Sequence, residues 1–279
     1  MNEHEDEDVG AYRLDPSIHS QAMHQLAADL LETWQSVRTL KTISNKDYAT
    51  VNRFFTLVVL CLFALTGARP RNAAFSDLAY RISHDFAVLL PSDKAYSDMH
   101  GRRPVVLPTI LRYALIESSR LRRLLVVFLS GHMDTSRFRH RGPTGKGRPH
   151  SVETIQTRTT VASGASKRFP WYFFQVSDQT TFQAIRPILS HEALSLVDSR
   201  YSARDSEFRV QLRHFLDDAG APQAAITAAM GHNALIRPNF GIDRWWSLRD
   251  FRDLATPYLN KYASQYGFTI PTTWATKTN

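Results

Sequence analysis

Residues 51–72 read VNRFFTLVVLCLFALTGARPRN. Phe54, Phe55, Leu57, Val58, Leu60, Cys61 and Leu62 put apolar groups on nearly every side of a 3.6-residue helix, so the segment predicts a helix enclosed by the rest of its domain. The uninterrupted apolar run, Leu57 to Leu65, is shorter than the roughly 20 residues of a bilayer span. Its expected surroundings are therefore protein. Asp47 offers a start for this helix, and Gly67 and Pro70 are stop signals. The chemistry changes at once beyond the stop, where Arg69 and Arg71 follow the most apolar stretch of the chain.

Working outward, His19 to Leu40 has the spacing of an amphipathic helix, with Leu26, Leu30, Leu31, Trp34 and Val37 on one side. Residues 1–18 open with MNEHEDED, five acids and no base, and are expected as an acidic, disordered tail. On the other side, Phe86 to Leu90 and Pro104 to Leu107 are short β-type runs joined by a Ser-, Asp- and Gly-rich tip, the pattern of a hairpin. Thr109 to Leu129 reads as helix. Residues 137–166 are basic, then small and polar, and are expected as a loop or insertion. Phe169 to Phe174 (FPWYFF) predicts a core or docking anchor in preference to a base-stacking platform, because such residues bury so much apolar area. Helices are expected over Thr180–Val197, Ser206–Ala219, Pro222–Met230 and Trp245–Tyr266. The expected fold is mainly α with a small antiparallel β-sheet, spanning residues 19–268, followed by a tail over 269–279.

Composition narrows the partners. The 279 residues carry a formal charge of +8 and 43% apolar side chains, enough for a sizeable core and a surface suited to a polyanion. Cys61 is the single cysteine, which excludes an internal disulfide and fits a reducing compartment. No basic, apolar leader opens the sequence. The histidines show neither HExxH nor paired Cys/His spacing, so no metal site is expected. Gly142-Pro-Thr-Gly-Lys-Gly has the wrong spacing for a phosphate-binding P-loop.

Three separated pieces then carry the chemistry. They are Thr66-Gly67-Ala68-Arg69 after the apolar helix, Ser206-Glu207-Phe208-Arg209 opening a later one, and Met230-Gly231-His232 closing the next. In order and type, this set resembles the tyrosine recombinases (phage integrases). That family has a T-G-x-R-x-x-E motif, an H-x-x-R motif and a leucine-glycine-histidine motif. Arg209 precedes Gly220 by 11 residues and His232 by 23, as in the family. Arg213-His214 spells a competing match, but its distance to His232 is four residues short.

The resemblance implies the recombinase catalytic-domain fold and DNA strand cleavage and rejoining through a phosphotyrosine link. Attack on a phosphodiester builds negative charge on its non-bridging oxygens, which preorganised cations must meet. By resemblance, Arg69 and Arg209 supply planar guanidinium forks and His232 a further donor. Lys94, in the hairpin, would be the general acid on the leaving oxygen, with Arg102 or Arg103 as alternatives that are poor proton donors. Two positions depart from the pattern. Ser206 stands where the family has its first histidine. Phe240 stands nearest the family's tyrosine and has no hydroxyl to form a phosphotyrosyl link. Tyr258 is the fallback nucleophile, and a neighbouring subunit could also lend one. With the nucleophile in doubt, the alternative is a catalytically degenerate, non-enzymatic DNA-binding protein of the same fold.

Further contacts to DNA are expected from Arg137, Arg139, Arg141, Lys146, Arg148 and Arg213. The partners implied are double-stranded DNA, further copies of the chain on that DNA, and a separate N-terminal clamping domain or a partner supplying one. Neither ATP nor metal is required, because a phosphotyrosyl intermediate conserves bond energy, and no membrane partner is expected. The implied setting is the cytoplasm of a bacterium or phage host, at the nucleoid, with a mobile genetic element as source. Taken singly, each residue has an ordinary explanation: Arg69 as a cation at a helix C-terminus, Arg209 as a surface arginine, His232 as a helix-end histidine, Lys94 as a solvated lysine. Only their joint order favours the sharper assignment.

Overall fold

The computed structural model describes residues 15–68, 87–89, 105–131, 138–140, 172–179, 182–197, 207–230 and 248–271. Helix α1 spans Pro16–Arg38 and α2 Tyr48–Thr66; the strands β1 (Val88–Leu89) and β2 (Val105–Val106) precede α3 (Thr109–Gly131). Strands β3 (Phe138–His140), β4 (Phe174–Gln179) and β5 (Phe182–Pro187) follow, then α4 (Ser190–Leu194), α5 (Glu207–Asp218), α6 (Gln223–Ala229) and α7 (Leu248–Gln265). Helix predominates, and β1 and β2 form the expected antiparallel pair, with Val88 opposite Val106 and Leu89 opposite Val105.

Helix α2 is the axis of the molecule. Phe54, Phe55, Val58, Leu60, Cys61, Leu62 and Leu65 are all fully buried. Helices α1, α3, α4, α5 and α7 and strand β4 all touch it. Each such side chain contributes about 1.5–3 kcal/mol relative to exposure, so the helix is held by its envelope and not by propensity. At 19 residues α2 reaches the length and apolarity of a membrane span, more than its shorter apolar run foretold, yet 78% of it is buried inside the protein. Burial also pushes the Cys61 thiol far above its usual pKa, leaving an inert apolar filler.

Four expectations need correcting. Helix α1 begins at Pro16 and not at His19, because Asp15 accepts a hydrogen bond from the Ser17 amide at 2.8 Å and proline occupies the first turn. Thr180–Val197 is not one helix. Phe182–Pro187 is a strand, and only Ser190–Leu194 is helical. Pro187 lies inside the expected helix, where it would remove an amide donor and clash with the preceding turn. The stretch 137–166 contributes the strand Phe138–His140; its other residues lie outside those described. A second sheet results, ordered β3-β5-β4, with β3 parallel and β4 antiparallel to β5. Asp47 stands at the start of α2, but its carboxylate accepts from the Ser44 amide and hydroxyl, each at 2.7 Å, and not from the helix.

The second sheet is pinned to the axis. Asn52, on α2, donates to the Val176 carbonyl at 2.7 Å and accepts from the Val176 amide at 3.1 Å, so its amide group completes the outer side of β4. The aromatic run does what its area suggested: Tyr172, Phe173 and Phe174 are buried, with Phe173 and Phe174 both edge-on to Phe55. The Tyr172 hydroxyl donates to the Leu115 carbonyl at 3.0 Å and also bonds Ser119; burial pushes its pKa up to about 12.

The first and last helices are latched by a buried polar pair. His19 Nε2 and the Tyr262 hydroxyl hydrogen-bond at 3.0 Å, between the rings of Phe208 and Tyr266. Burial lowers the His19 pKa to about 4 from its ordinary 6.5. The unfolded chain therefore takes up the proton first as pH falls. The native ring stays neutral down to about pH 4, so stability is unaffected above pH 6.5 and falls by up to about 3 kcal/mol between pH 6.5 and 4. Urea midpoints measured across that window should fall with pH, and His19→Gln should flatten the fall; an unchanged slope would remove His19 as its source. Asn52→Leu should destabilise the protein by about 1–3 kcal/mol at pH 7, since it strands two backbone groups of β4. An urea midpoint equal to wild type would show that water replaces the side chain at no cost.

Candidate functional site

The three separated motifs meet at one side chain. Helix α2 ends on Gly67, whose φ of +59° is left-handed and whose amide donates to the Phe63 carbonyl at 3.0 Å. Thr66 is fully buried; its hydroxyl donates to the Leu62 carbonyl and accepts from the Ala68 amide at 3.3 Å. The turn is thus fixed through Ala68, which is buried and immediately precedes Arg69 in sequence.

Helix α5 lies across this end. Phe208, Leu212 and Leu216 recur at helical spacing and are buried, and Glu207 is buried with Gln211 donating to its carboxylate at 2.9 Å. That stripe sets Arg209 one position off the core, half-buried. Its Nη1 donates to the Gly67 carbonyl and its Nη2 to the Met230 carbonyl, each at 3.2 Å. Both acceptors sit at helix C-termini, where carbonyls lack intrahelical donors and the helix dipole favours a cation. Met230 closes α6 and is two residues from His232. One guanidinium therefore bridges the backbone leading to Arg69 and the backbone leading to His232.

Gly67 is required for this approach. A methyl group there would stand 3.2 Å from the Arg209 Cα and 3.3 Å from Leu212 Cδ2, on a backbone conformation that side chains rarely adopt. The competing arginine behaves differently. Arg213, one turn along α5, donates to the Asp217 carboxylate at 2.8 Å on a partly exposed face. Spacing favoured Arg209 over Arg213, and packing brings Arg209 to the motif junction.

Other predicted positions are placed as follows. Tyr258 lies on α7, partly buried against the core. Tyr262 and Tyr266, the next two tyrosines of that face, are buried at 0% and 7% exposure, so Tyr258 is the most accessible of the three. Arg139 is in β3, opposite Ala184. Arg69, Lys94, Arg102, Arg103, Ser206, His232, Phe240, Arg137, Arg141, Lys146 and Arg148 lie outside the described residues. Among the described residues, no group of three His, Cys, Asp or Glu side chains is arranged to hold a metal. The Gly67 and Met230 carbonyls were not anticipated, because backbone acceptors leave no mark in a side-chain motif.

No protein-family model, curated protein or solved structure matches the chain. The geometry of the junction thus has to carry the functional argument alone. Gly67→Ala should cost at least about 1–2 kcal/mol from the left-handed backbone alone. Urea unfolding measures it, and a neutral result would mean that α5 does not pack against the turn.

Proposed function

We propose that this chain is the catalytic domain of a tyrosine recombinase, cleaving and rejoining DNA through a phosphotyrosine link. The observation that carries the assignment is the junction at Arg209, which ties together the backbones adjoining Arg69 and His232. On this reading, residues far apart in sequence would frame one basic notch, in the order the family motifs require. Arg69 and Arg209 would clamp the non-bridging oxygens, His232 would add a donor, and Lys94 would protonate the leaving oxygen. Ser206, in the place of a histidine, would position the phosphate without moving protons.

The partner would be double-stranded DNA, bound by several copies of the chain at the nucleoid, with a clamping domain or partner completing the grip. The basic residues of 137–148 and Arg213 would follow the phosphate backbone, so affinity would fall steeply with salt. The second reading, a DNA-binding protein of the same fold without cleavage, is favoured by one specific feature: Phe240 holds no hydroxyl. Tyr258 is then the residue on which activity turns.

A nicked duplex that traps the covalent intermediate separates these cases. The assignment expects a denaturation-resistant protein–DNA adduct that disappears in Tyr258→Phe. Salt-sensitive binding without any adduct would select the second reading. Failure to bind duplex DNA even at low salt would remove both.

A further inference from the structure

We infer that Arg209 is a positioning residue, a clasp that sets the two backbone segments leading to Arg69 and His232 relative to each other. This role is distinct from donating to a phosphate, and it operates in the DNA-free protein. Its structural part stands on the protein's own geometry; its consequence for DNA rests on the proposal above.

Neither half of the junction is held in place by its own helix. Helix α6 has seven residues, too few to be stable alone, and its last carbonyls have no donors within the helix. Helix α2 ends on a left-handed turn at Gly67, whose carbonyl has no donor within the helix. A lysine could not replace the bridge, because its donors radiate from one nitrogen, whereas the two carbonyls are taken by two nitrogens of a rigid plane. The Arg209 backbone is itself held against the Gly67 turn, so the side chain starts from a defined point.

The same device recurs where no phosphate is proposed. Arg120, on α3, donates through two nitrogens to the Val37 and Leu40 carbonyls, at 2.9 and 2.5 Å, at the end of α1. There Glu117 steadies the guanidinium, with an oxygen 3.0 Å from its Nε. This fold thus closes helix ends with bridging arginines. At Arg209 the bridge joins the ends of two different helices, which makes those ends interdependent. A change that frees one carbonyl loosens the other end as well.

Hydrogen exchange and DNA binding of Arg209→Lys and Arg209→Met test the clasp. The reporter amides are Gly67, bonded to Phe63, Ala68, bonded to Thr66, and Met230, bonded to Ile226. Amides in the middle of α2 serve as the internal reference. In DNA-free protein both variants should exchange about tenfold faster at all three reporters, with the reference unchanged. Lysine, although it keeps the charge, should not rescue. Binding to a duplex oligonucleotide should then weaken alike in both variants. The slope of log affinity against log salt should drop by more than the roughly 0.9 expected for one lost phosphate contact, because Arg69 and His232 are displaced too. Unchanged reporter exchange in Arg209→Met would overturn the clasp. So would equal acceleration of reporters and reference, which marks general destabilisation, or recovery of protection and slope by lysine. If wild type binds no DNA, the proposed function fails, while the exchange result still decides the clasp.

Discussion

The constraint on which the rest depends is the unbroken burial of α2 from Phe54 to Thr66. A helix apolar on all sides has no solvent face, so every neighbouring element is recruited to cover it. Its two ends then become the places where the chain must meet polar demands within a crowded interior. At one end Asn52 supplies the donor and acceptor that the outer side of β4 lacks. At the other, the orphan carbonyl of Gly67 is met by Arg209. The polar contacts of the interior are thus consequences of how the apolar axis is enclosed.

That logic connects structure to the proposed chemistry. A phosphodiester-binding notch needs cations that are fixed before the ligand arrives, since reorganisation would consume the binding energy. Arginines on loops are poor candidates unless the loops are tied down. In this fold one guanidinium is held by backbone carbonyls at the ends of two helices, and the tight Gly67 turn brings its own backbone close. The interior also has a pH-sensitive side: His19 is neutral in the native state, and its neighbour Phe208 immediately precedes Arg209.

Much of the secondary structure was legible because its periodicity was local. The apolar run of α2, the stripes of α1, α3, α5 and α7, and the valine-rich hairpin strands follow from which side chains need burial. The failures were also local. Pro187 argued against the helix expected around it, and Asp15-Pro16 marked the start of α1. Strand β3 resisted sequence reading because three residues in a basic stretch acquire strand geometry only by pairing with β5. The lone Asn52 in an apolar helix signalled a polar partner, but nothing in the sequence could say that the partner was Val176.

The chain by itself determined the order and spacing of Arg69, Arg209 and His232, and the absence of a hydroxyl at Phe240. It also set the buried axis, since hydrophobic pattern and glycine or proline stops are properties of neighbouring residues. Tertiary structure alone decided that Arg209, and not Arg213, reaches the junction, and that its partners are carbonyls at two helix ends. The reason is physical: a guanidinium's partners depend on which surfaces close around it, and backbone oxygens are the same in every residue. Sequence can propose a cation, but only packing settles where its charge is spent.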